Sequence, residues 1–250
     1  MEPFDFKYED DLKKCSQIIK ESRNTMVLTG AGMSTESGIP DFRSANGLYK
    51  NVYRAEEVLS HEFFYSNTDD FYDFLKKYLY IPSCKANVGH DIIAKWEKEG
   101  YVQTVATQNI DGLHQMAGSK NVIEMHGTMR KATCMACGKK YDLEELLPRT
   151  DYFCNCNNEK HNIIKPDIVL YGEAVPMMQL AFEEVQNVDL LIILGTSLVV
   201  YPVAALPTYL KKNAKIIIIN YSHTQYEGSS NCISINAGIG DTLTKIDSLL

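Results

Sequence analysis

The chain has 250 residues, 45% of them hydrophobic, which suits one large domain or a core domain with small inserted segments. Its formal net charge of -7 gives no strong basic field, so nucleic acid is not expected as the main ligand. The longest apolar runs, Leu190–Leu194 and Ile216–Ile219, are far shorter than the roughly 20 residues of a membrane helix, and we predict no membrane-spanning segment.

The first predicted elements are a helix over Asp10–Ser22 and a buried strand over Met26–Thr29. Gly30 and Gly32 follow this strand, and such a pair lets backbone N–H groups approach a pyrophosphate. Thr35 stands where the dinucleotide fingerprint has a third glycine, and the acidic residue expected roughly 20 residues further on is missing. The pair alone therefore also fits an ordinary tight turn between a strand and a helix.

A polar loop and a helical insert follow. Gly38–Arg43 contains one aromatic residue and one arginine between glycine and proline, a composition that favours a loop folding over a bound ligand. Residues 45–88 are rich in Tyr and Phe and interrupt the alternation of strands and helices. Within this insert we predict helices over Ala55–Phe64 and Asp69–Tyr80.

The remainder alternates apolar runs with helical segments, as in a parallel sheet covered on both faces. The predicted strands are Val102–Thr107, Val122–Met125, Asp167–Tyr171, Asp189–Leu194 and Lys215–Asn220, and the predicted helices are Gly89–Glu99, Met177–Val185 and Val203–Lys212. The predicted fold class is α/β, a doubly wound, Rossmann-like parallel sheet. One domain spans residues 1–250, with a core of about 10–44, 89–130 and 166–250, the helical insert 45–88, and a second insert 131–165.

Polar or small residues follow five of the predicted strands. They are Gly30 and Gly32, Gln108 to Asp111, His126, Gly195 to Ser197, and Asn220. The carboxyl ends of parallel strands meet at one edge of the sheet, where doubly wound folds bind their ligands. An Asn/Asp turn or a structural histidine would explain any one of these positions, but the five together predict a binding site at this edge.

Four of the seven cysteines lie close together and predict a metal site. Cys134 and Cys137 form a Cys-x2-Cys pair, whereas Cys154 and Cys156 are separated by one residue instead of two. We predict a structural Zn²⁺ held by these four residues in a zinc-ribbon insert, with His161 as the alternative fourth ligand. Thiols used in this way favour the cytoplasm over an oxidising compartment. The remaining cysteines, Cys15, Cys84 and Cys232, are interpreted as buried thiols.

Taken in order, these motifs resemble those of the sirtuins, the NAD-dependent protein-lysine deacylases. The resemblance extends from about Ile18 to Leu249. Its motifs are Gly-Ala-Gly-Met-Ser (30–34), Gly-Ile-Pro-Asp-Phe-Arg (38–43), Thr-Gln-Asn-Ile-Asp-Gly-Leu-His (107–114), His-Gly-Thr (126–128), Lys-Pro-Asp-Ile-Val-Leu-Tyr-Gly-Glu (165–173) and Gly-Thr-Ser (195–197). The resemblance implies transfer of an acetyl group from lysine to the ADP-ribose of NAD, with release of nicotinamide.

The resemblance also implies a role for each matched residue. His126 would be the general base and Asn109 a second catalytic residue. The cofactor-binding residues would be Gly30, Ala31, Gly32, Ser34, Thr35, Asp41, Phe42, Arg43, Gln108, Asn109, Ile110, Asp111, His126, Gly195, Thr196, Ser197, Asn220, Ile239 and Gly240. Val169, Leu170, Tyr171 and Gly172 would pair with an extended acetyl-lysine peptide by strand addition.

Two other functions use the same pocket. A protein mono-ADP-ribosyltransferase differs only in the acceptor, and a non-catalytic NAD or ADP-ribose sensor would have no need of the base His126.

We expect a monomeric, cytoplasmic enzyme that acts on acetyl-lysine proteins or peptides. Sirtuins that remove acidic acyl groups carry a Tyr-x-x-Arg pair in the helical insert, where this chain has Leu75 and Tyr78, so short uncharged acyl groups are expected.

Overall fold

The computed structural model describes residues 6–44, 47–156 and 162–250. The strands in these ranges are β1 (Thr25–Thr29), β2 (Thr104–Thr107), β3 (Val122–Glu124), β4 (Gly127–Cys134), β5 (Lys140–Asp142), β6 (Ile164–Ile168), β7 (Leu190–Leu194), β8 (Lys215–Ile219) and β9 (Cys232–Ile235). The α-helices are α1 (Phe6–Glu21), α2 (Leu48–Asn51), α3 (Ala55–Val58), α4 (His61–Ser66), α5 (Thr68–Phe74), α6 (Val88–Glu99), α7 (Leu113–Ala117), α8 (Leu143–Leu146), α9 (Met178–Val185) and α10 (Ile239–Asp247). Short 3₁₀ helices span Ala31–Ser37 and Val203–Tyr209, and a π-helical turn spans Leu75–Leu79.

The larger sheet is parallel, with the strand order β3-β2-β1-β7-β8-β9. Strands β1 and β7 are buried along their whole length because apolar clusters cover both faces. Helices α1, α6 and α10 pack on one face, and α9 packs on the other with the 3₁₀ helix Val203–Tyr209. The strand order reverses between β1 and β7, which opens a crevice at their carboxyl ends. The predicted doubly wound parallel sheet is confirmed.

The smaller sheet is antiparallel, with the order β5-β4-β6. The prediction of a core strand over Asp167–Tyr171 is therefore wrong, because the strand spans Ile164–Ile168 and pairs with β4 rather than with the parallel sheet. Its apolar side chains fill a second hydrophobic core, which the aromatic residues of α4 and α5 share. An apolar run specifies burial, but not which of two cores buries it.

The helical segment is more broken than predicted. The expected helix over Ala55–Phe64 consists of α3 and α4, because Ser60 caps the second helix by accepting a hydrogen bond from the Phe63 amide at 3.2 Å. At this break the His61 amide donates to the carbonyl of Tyr171 at 2.9 Å. The predicted helix over Asp69–Tyr80 is likewise divided into α5 and the π-helical turn.

Several C-terminal features differ from the sequence expectation. The predicted helix over Val203–Lys212 is a 3₁₀ helix that ends at Tyr209, and β9 and α10 were not predicted.

The three cysteines outside the cluster differ in burial. Cys15 is buried as expected, but Cys84 and Cys232 are only half-buried. No helix in the described part of the chain combines the length and hydrophobicity that crossing a bilayer requires.

Candidate active site

A cavity of about 1000 Å³ lies over the carboxyl edge of the parallel sheet. Its outer wall is formed by two smaller units, the helical insert (the helical unit) and the three-stranded sheet with its connections (the sheet unit). The sequence-predicted residues that line it are Gly30, Ala31, Gly32, Ser34, Thr35, Asp41, Phe42, Arg43, Gln108, Asn109, Ile110, Asp111, His126, Val169, Leu170, Tyr171, Gly172, Gly195, Thr196, Ser197, Asn220 and Ile239. Gly240, on α10, is not among the lining residues, and its amide donates at 3.1 Å to the carboxylate of Glu36, which does line the cavity. The structure thus brings the five strand ends together around one space.

The glycines after β1 and β7 allow two loops to touch. The Gly30 amide donates to the Leu194 carbonyl at 3.0 Å, and the Gly32 amide donates to the Gly195 carbonyl at 2.8 Å. A Cβ atom on Gly32 would lie 2.7 Å from the Cα of Gly195, closer than any side chain permits. Thr35 lies on the exposed side of the following 3₁₀ helix, where no close packing demands a third glycine. The departure from the dinucleotide fingerprint thus has a structural reason.

The side chain of Asn109 is buried and held by two hydrogen bonds. Its Nδ2 donates to the Gly30 carbonyl and to Ser34 Oγ, both at 3.0 Å. Ser34 Oγ donates in turn to Asp111 Oδ2 at 2.7 Å, and Asp111 Oδ1 accepts from the Leu113 amide at 2.9 Å. Because both amide hydrogens of Asn109 are engaged, its orientation is fixed, and its Oδ1 is left as the acceptor for a ligand.

The surroundings of His126 set its tautomer and its charge. Its Nδ1 lies 2.9 Å from the carbonyl oxygen of Gln108. A carbonyl only accepts, so Nδ1 carries the proton and Nε2 carries a lone pair. Burial lowers the pKa of His126 below its usual value, and the hydrogen bond to Gln108 opposes this only in part. At neutral pH the imidazole is therefore uncharged and able to accept a proton at Nε2.

The backbone around His126 connects the base to the predicted substrate segment, Val169–Gly172. The Val169 amide donates to the His126 carbonyl at 2.9 Å. Gly127 has φ +78°, and a Cβ atom there would lie 2.0 Å from the carbonyl oxygen of Asp167, so this close approach requires glycine. On its other side the segment is bound to the helical unit, since the Tyr171 amide donates to the Leu59 carbonyl at 2.9 Å.

Two side-chain contacts around the segment Val169–Gly172 were not predicted from the sequence. Lys165, only 9% exposed, donates to the Ile168 carbonyl at 2.6 Å and pairs with Glu173 at 3.0 Å, and Glu173 accepts from the Leu170 amide. Two charged residues flanking an apolar run were the available signal. The hydroxyl of Tyr49 lies 2.7 Å from that of Tyr171, a contact across 122 residues that no local pattern indicates.

The four clustered cysteines fit a tetrahedral zinc ion. The Sγ atoms of Cys134 and Cys156 are 3.8 Å apart, as are those of Cys137 and Cys154, and all four lie within 4.8 Å of one another. Sulfur ligands about 2.3 Å from Zn²⁺ in a tetrahedron are about 3.8 Å apart. Tyr141 donates to Cys154 Sγ at 3.0 Å, a bond that lowers the pKa of this thiol to about 7.

These four residues are the predicted zinc ligands, and the short Cys-x-Cys spacing does not prevent them from converging. The alternative ligand His161 lies outside the described residues. The cysteine cluster is formed by residues of the sheet unit and is separate from the cavity lining. A zinc ion there would organise the fold rather than take part in the reaction.

Known proteins match this chain over nearly its whole length. The model of the Sir2 family matches residues 30–202. A protein of Clostridium tetani named NAD-dependent protein deacetylase is 46% identical over 240 residues, which cover 94% of this chain and 96% of that protein. A protein of Clostridium acetobutylicum with the same name is 42% identical over 243 residues, with coverages of 95% and 98%.

Solved Sir2 structures are also similar to this chain in sequence and fold. A structure described as Sir2 with a p53 peptide and NAD+ is 36% identical, with a TM-score of 0.84 and coverages of 95% of this chain and 97% of that chain. A Sir2 structure with a deacetylated p53 peptide and 3'-O-acetyl-ADP-ribose is 37% identical, with a TM-score of 0.86 and the same coverages.

Proposed function

Because the chain belongs to the Sir2 family, we propose that it is an NAD-dependent protein-lysine deacetylase, which moves the acetyl group from lysine to ADP-ribose and releases nicotinamide. The observation that carries this proposal is the tautomer of His126. Its Nδ1–H is held by the Gln108 carbonyl, which leaves Nε2 free beside a large cavity. A sensor that only binds NAD would need no such base.

Each wall of the cavity has a proposed partner. NAD, when bound, supplies an activated ribose carbon with nicotinamide as its leaving group. We assign the pyrophosphate to the loop Gly30–Thr35, the nicotinamide ribose to Gln108–Asp111, and the adenosine half to Gly195–Ser197, Asn220, Ile239 and Gly240. Asp41, Phe42 and Arg43 cover the cofactor, and Phe42 shields the reacting ribose from returning nicotinamide.

The protein's own part in the reaction is to orient the reactants and move one proton. Asn109 and Asp111 hold the ribose and the carboxamide, because their side chains are fixed by Ser34 and the neighbouring backbone. His126 accepts a proton from a ribose hydroxyl at Nε2. The acetyl-lysine peptide lies along Val169–Gly172. Because the amides of Val169, Leu170 and Tyr171 already donate within the protein, the Val169 carbonyl and the Gly172 backbone are the groups left to pair with it.

The deciding experiment follows NAD labelled in its adenosine half during incubation with an acetyl-lysine peptide. Deacetylation predicts equal amounts of nicotinamide, deacetylated peptide and labelled O-acetyl-ADP-ribose. Label retained on protein favours mono-ADP-ribosyl transfer instead, and NAD binding without nicotinamide release favours a sensor. The unacetylated peptide is the matched control, because it lacks the carbonyl oxygen that replaces nicotinamide.

We also propose that the enzyme works as a monomer in the cytoplasm. We further propose that its chain divides into the core and the two inserts predicted from the sequence. One chain supplies all the residues of the cavity, and four of its thiols are arranged for a metal, which suits a reducing compartment. Light scattering on the purified protein tests the monomer, and a mass of two chains at working concentration would contradict it.

A further inference from the structure

Two buried histidines lie behind the cavity and take no part in the chemistry proposed above. His90 on α6 is 0% exposed and His114 on α7 is 1% exposed, and their ring centroids are 4.8 Å apart at an interplanar angle of 62°. Each ring has one nitrogen without a hydrogen-bond partner, Nε2 of His90 and Nδ1 of His114. Buried polar groups of this kind call for an explanation, because unpaired groups are costly.

The hydrogen bonds of His114 determine its tautomer. Its Nε2 lies 3.1 Å from Thr29 Oγ1. The Thr29 hydroxyl donates its one proton to Thr107 Oγ1 at 2.8 Å, so it acts as an acceptor toward His114. The proton of His114 is therefore on Nε2, and the orphaned Nδ1 is an acceptor. Burial lowers the pKa of His114 to about 3, which keeps the ring neutral.

The tautomer of His90 is set independently. Its Nδ1 accepts from the backbone amide of Asn87 at 3.3 Å, so the proton of the neutral ring is on Nε2. Burial lowers the pKa of His90, although the carboxylates of Asp111 and Asp91 oppose this. The two orphaned atoms are thus a donor on His90 and an acceptor on His114. A donor and an acceptor of this kind can be bridged by one ordered water.

The other end of this series of bonds reaches the proposed catalytic asparagine. Thr107 Oγ1 accepts from the backbone amide of Asn109 at 3.0 Å, in addition to the bond from Thr29. We propose that His114, whose Nε2–H donates to Thr29 Oγ1, is a positioning residue for Asn109, acting through the hydroxyls of Thr29 and Thr107. This inference rests on the proposed function, since it assigns Asn109 a part in the reaction.

The first test compares Thr29→Val with Thr29→Ser. Valine keeps the shape of the side chain but removes the hydroxyl, so that Thr107 and His114 each lose a hydrogen-bond partner. Serine keeps the hydroxyl. Misplacement of a group near the reaction costs up to about 100-fold, so we expect kcat of Thr29→Val to fall by about 10-fold to 100-fold. KM values for NAD and peptide should stay near those of the wild type, and Thr29→Ser should restore kcat. A folded Thr29→Val variant with wild-type kcat would overturn the proposal.

The second test does not depend on activity or on variants that fold. The ¹⁵N resonances of the imidazoles in the wild-type protein report protonation directly. We expect neutral Nε2–H tautomers for both His90 and His114 at neutral pH. An Nδ1–H tautomer of His114, or a charged ring at neutral pH, would overturn the proposal. If the wild type releases no nicotinamide, the proposed function fails, while these resonances still decide whether the tautomers are as inferred.

Discussion

At the scale of single residues, one hydrogen bond sets the tautomer of His126, and burial lowers its pKa and so keeps the ring neutral. We expect His126→Ala to lower the deacetylation rate by about 10²–10⁴-fold, the usual contribution of a general base. NAD affinity, measured by calorimetry, should change little, because the other cofactor contacts remain. His223→Ala is the matched control, since that histidine is 85% exposed and lies outside the cavity lining. A His126→Ala variant that keeps half of the wild-type turnover would show that the base is elsewhere.

The same residue predicts a pH dependence. His126 acts only in its neutral form, and burial moves its pKa below the usual value of about 6.5. The rate should therefore stay constant as the pH falls from 8 through 7, and decline only below about pH 6.5, where Nε2 becomes protonated. The profile of kcat/KM with pH measures this directly. An acidic limb centred above pH 7 would contradict the burial of the base.

At the scale of elements, we expect the three-stranded sheet to depend on a bound zinc. Cys134 ends β4, Cys137 lies in the turn that follows, and Cys154 and Cys156 precede β6, so losing zinc should loosen this unit while the parallel sheet persists. Metal analysis should find one zinc per chain, and a chelator should raise hydrogen exchange in β4 and β6 and lower activity indirectly. Cys154→Ser should behave like chelation, and Cys232→Ser on β9 is the control. Full activity with clearly substoichiometric zinc would contradict this dependence.

The elements also show what a single sequence predicts well. Strands β1, β7 and β8 are continuous apolar runs covered on both faces, so their burial was evident from composition. Strand β6, Ile-Lys-Pro-Asp-Ile, carries Lys165 and Asp167 between its isoleucines, and its place depends on pairing with β4 some 30 residues earlier, which no local pattern encodes. Helix α10 was missed although Ile239, Leu243 and Ile246 recur at helical spacing, so that signal was present.

The candidate site divides in the same way. Asn109 and His126 could be found because each follows a strand, and parallel strands bring their carboxyl ends to one edge. The tautomer of His126 could not be predicted, since it depends on where the Gln108 carbonyl lies after folding. The same holds for Lys165 and Glu173, whose pairing at 3.0 Å fixes the shape of the substrate segment.

At the scale of the whole molecule, the cavity joins three units that contribute different things. The parallel sheet supplies fixed amides and the proposed base, His126, and the two smaller units supply the outer wall. Tyr49 and Tyr171 link the helical unit to the substrate segment through their hydroxyls, and Arg43 donates to Tyr171 at 3.4 Å while lying 5.2 Å above the ring of Tyr49. The loop proposed to cover the cofactor and the segment proposed to bind the peptide are thus in direct contact.

This wall also predicts which acyl groups are accepted. Leu75 is fully buried in the second core, and Tyr78 lines the cavity, so neither position offers the guanidinium that would pair with an acidic acyl group. Lys77 lies 4.9 Å above the ring of Tyr78 rather than in the pocket. A carboxylate buried without a partner costs several kcal/mol, so kcat/KM should be about 100-fold or more higher for an acetyl than for a succinyl peptide, at about 1.4 kcal/mol per factor of ten.

A butyryl peptide of the same sequence separates charge from size, because butyryl and succinyl chains have equal length and only succinyl is charged. We expect the butyryl peptide to react faster than the succinyl peptide. Equal rates for these two would assign the discrimination to length, and a succinyl rate equal to the acetyl rate would show that a cation reaches the acyl group. In that case Lys77→Ala identifies the partner, because Lys77 already lies against the tyrosine that lines the cavity.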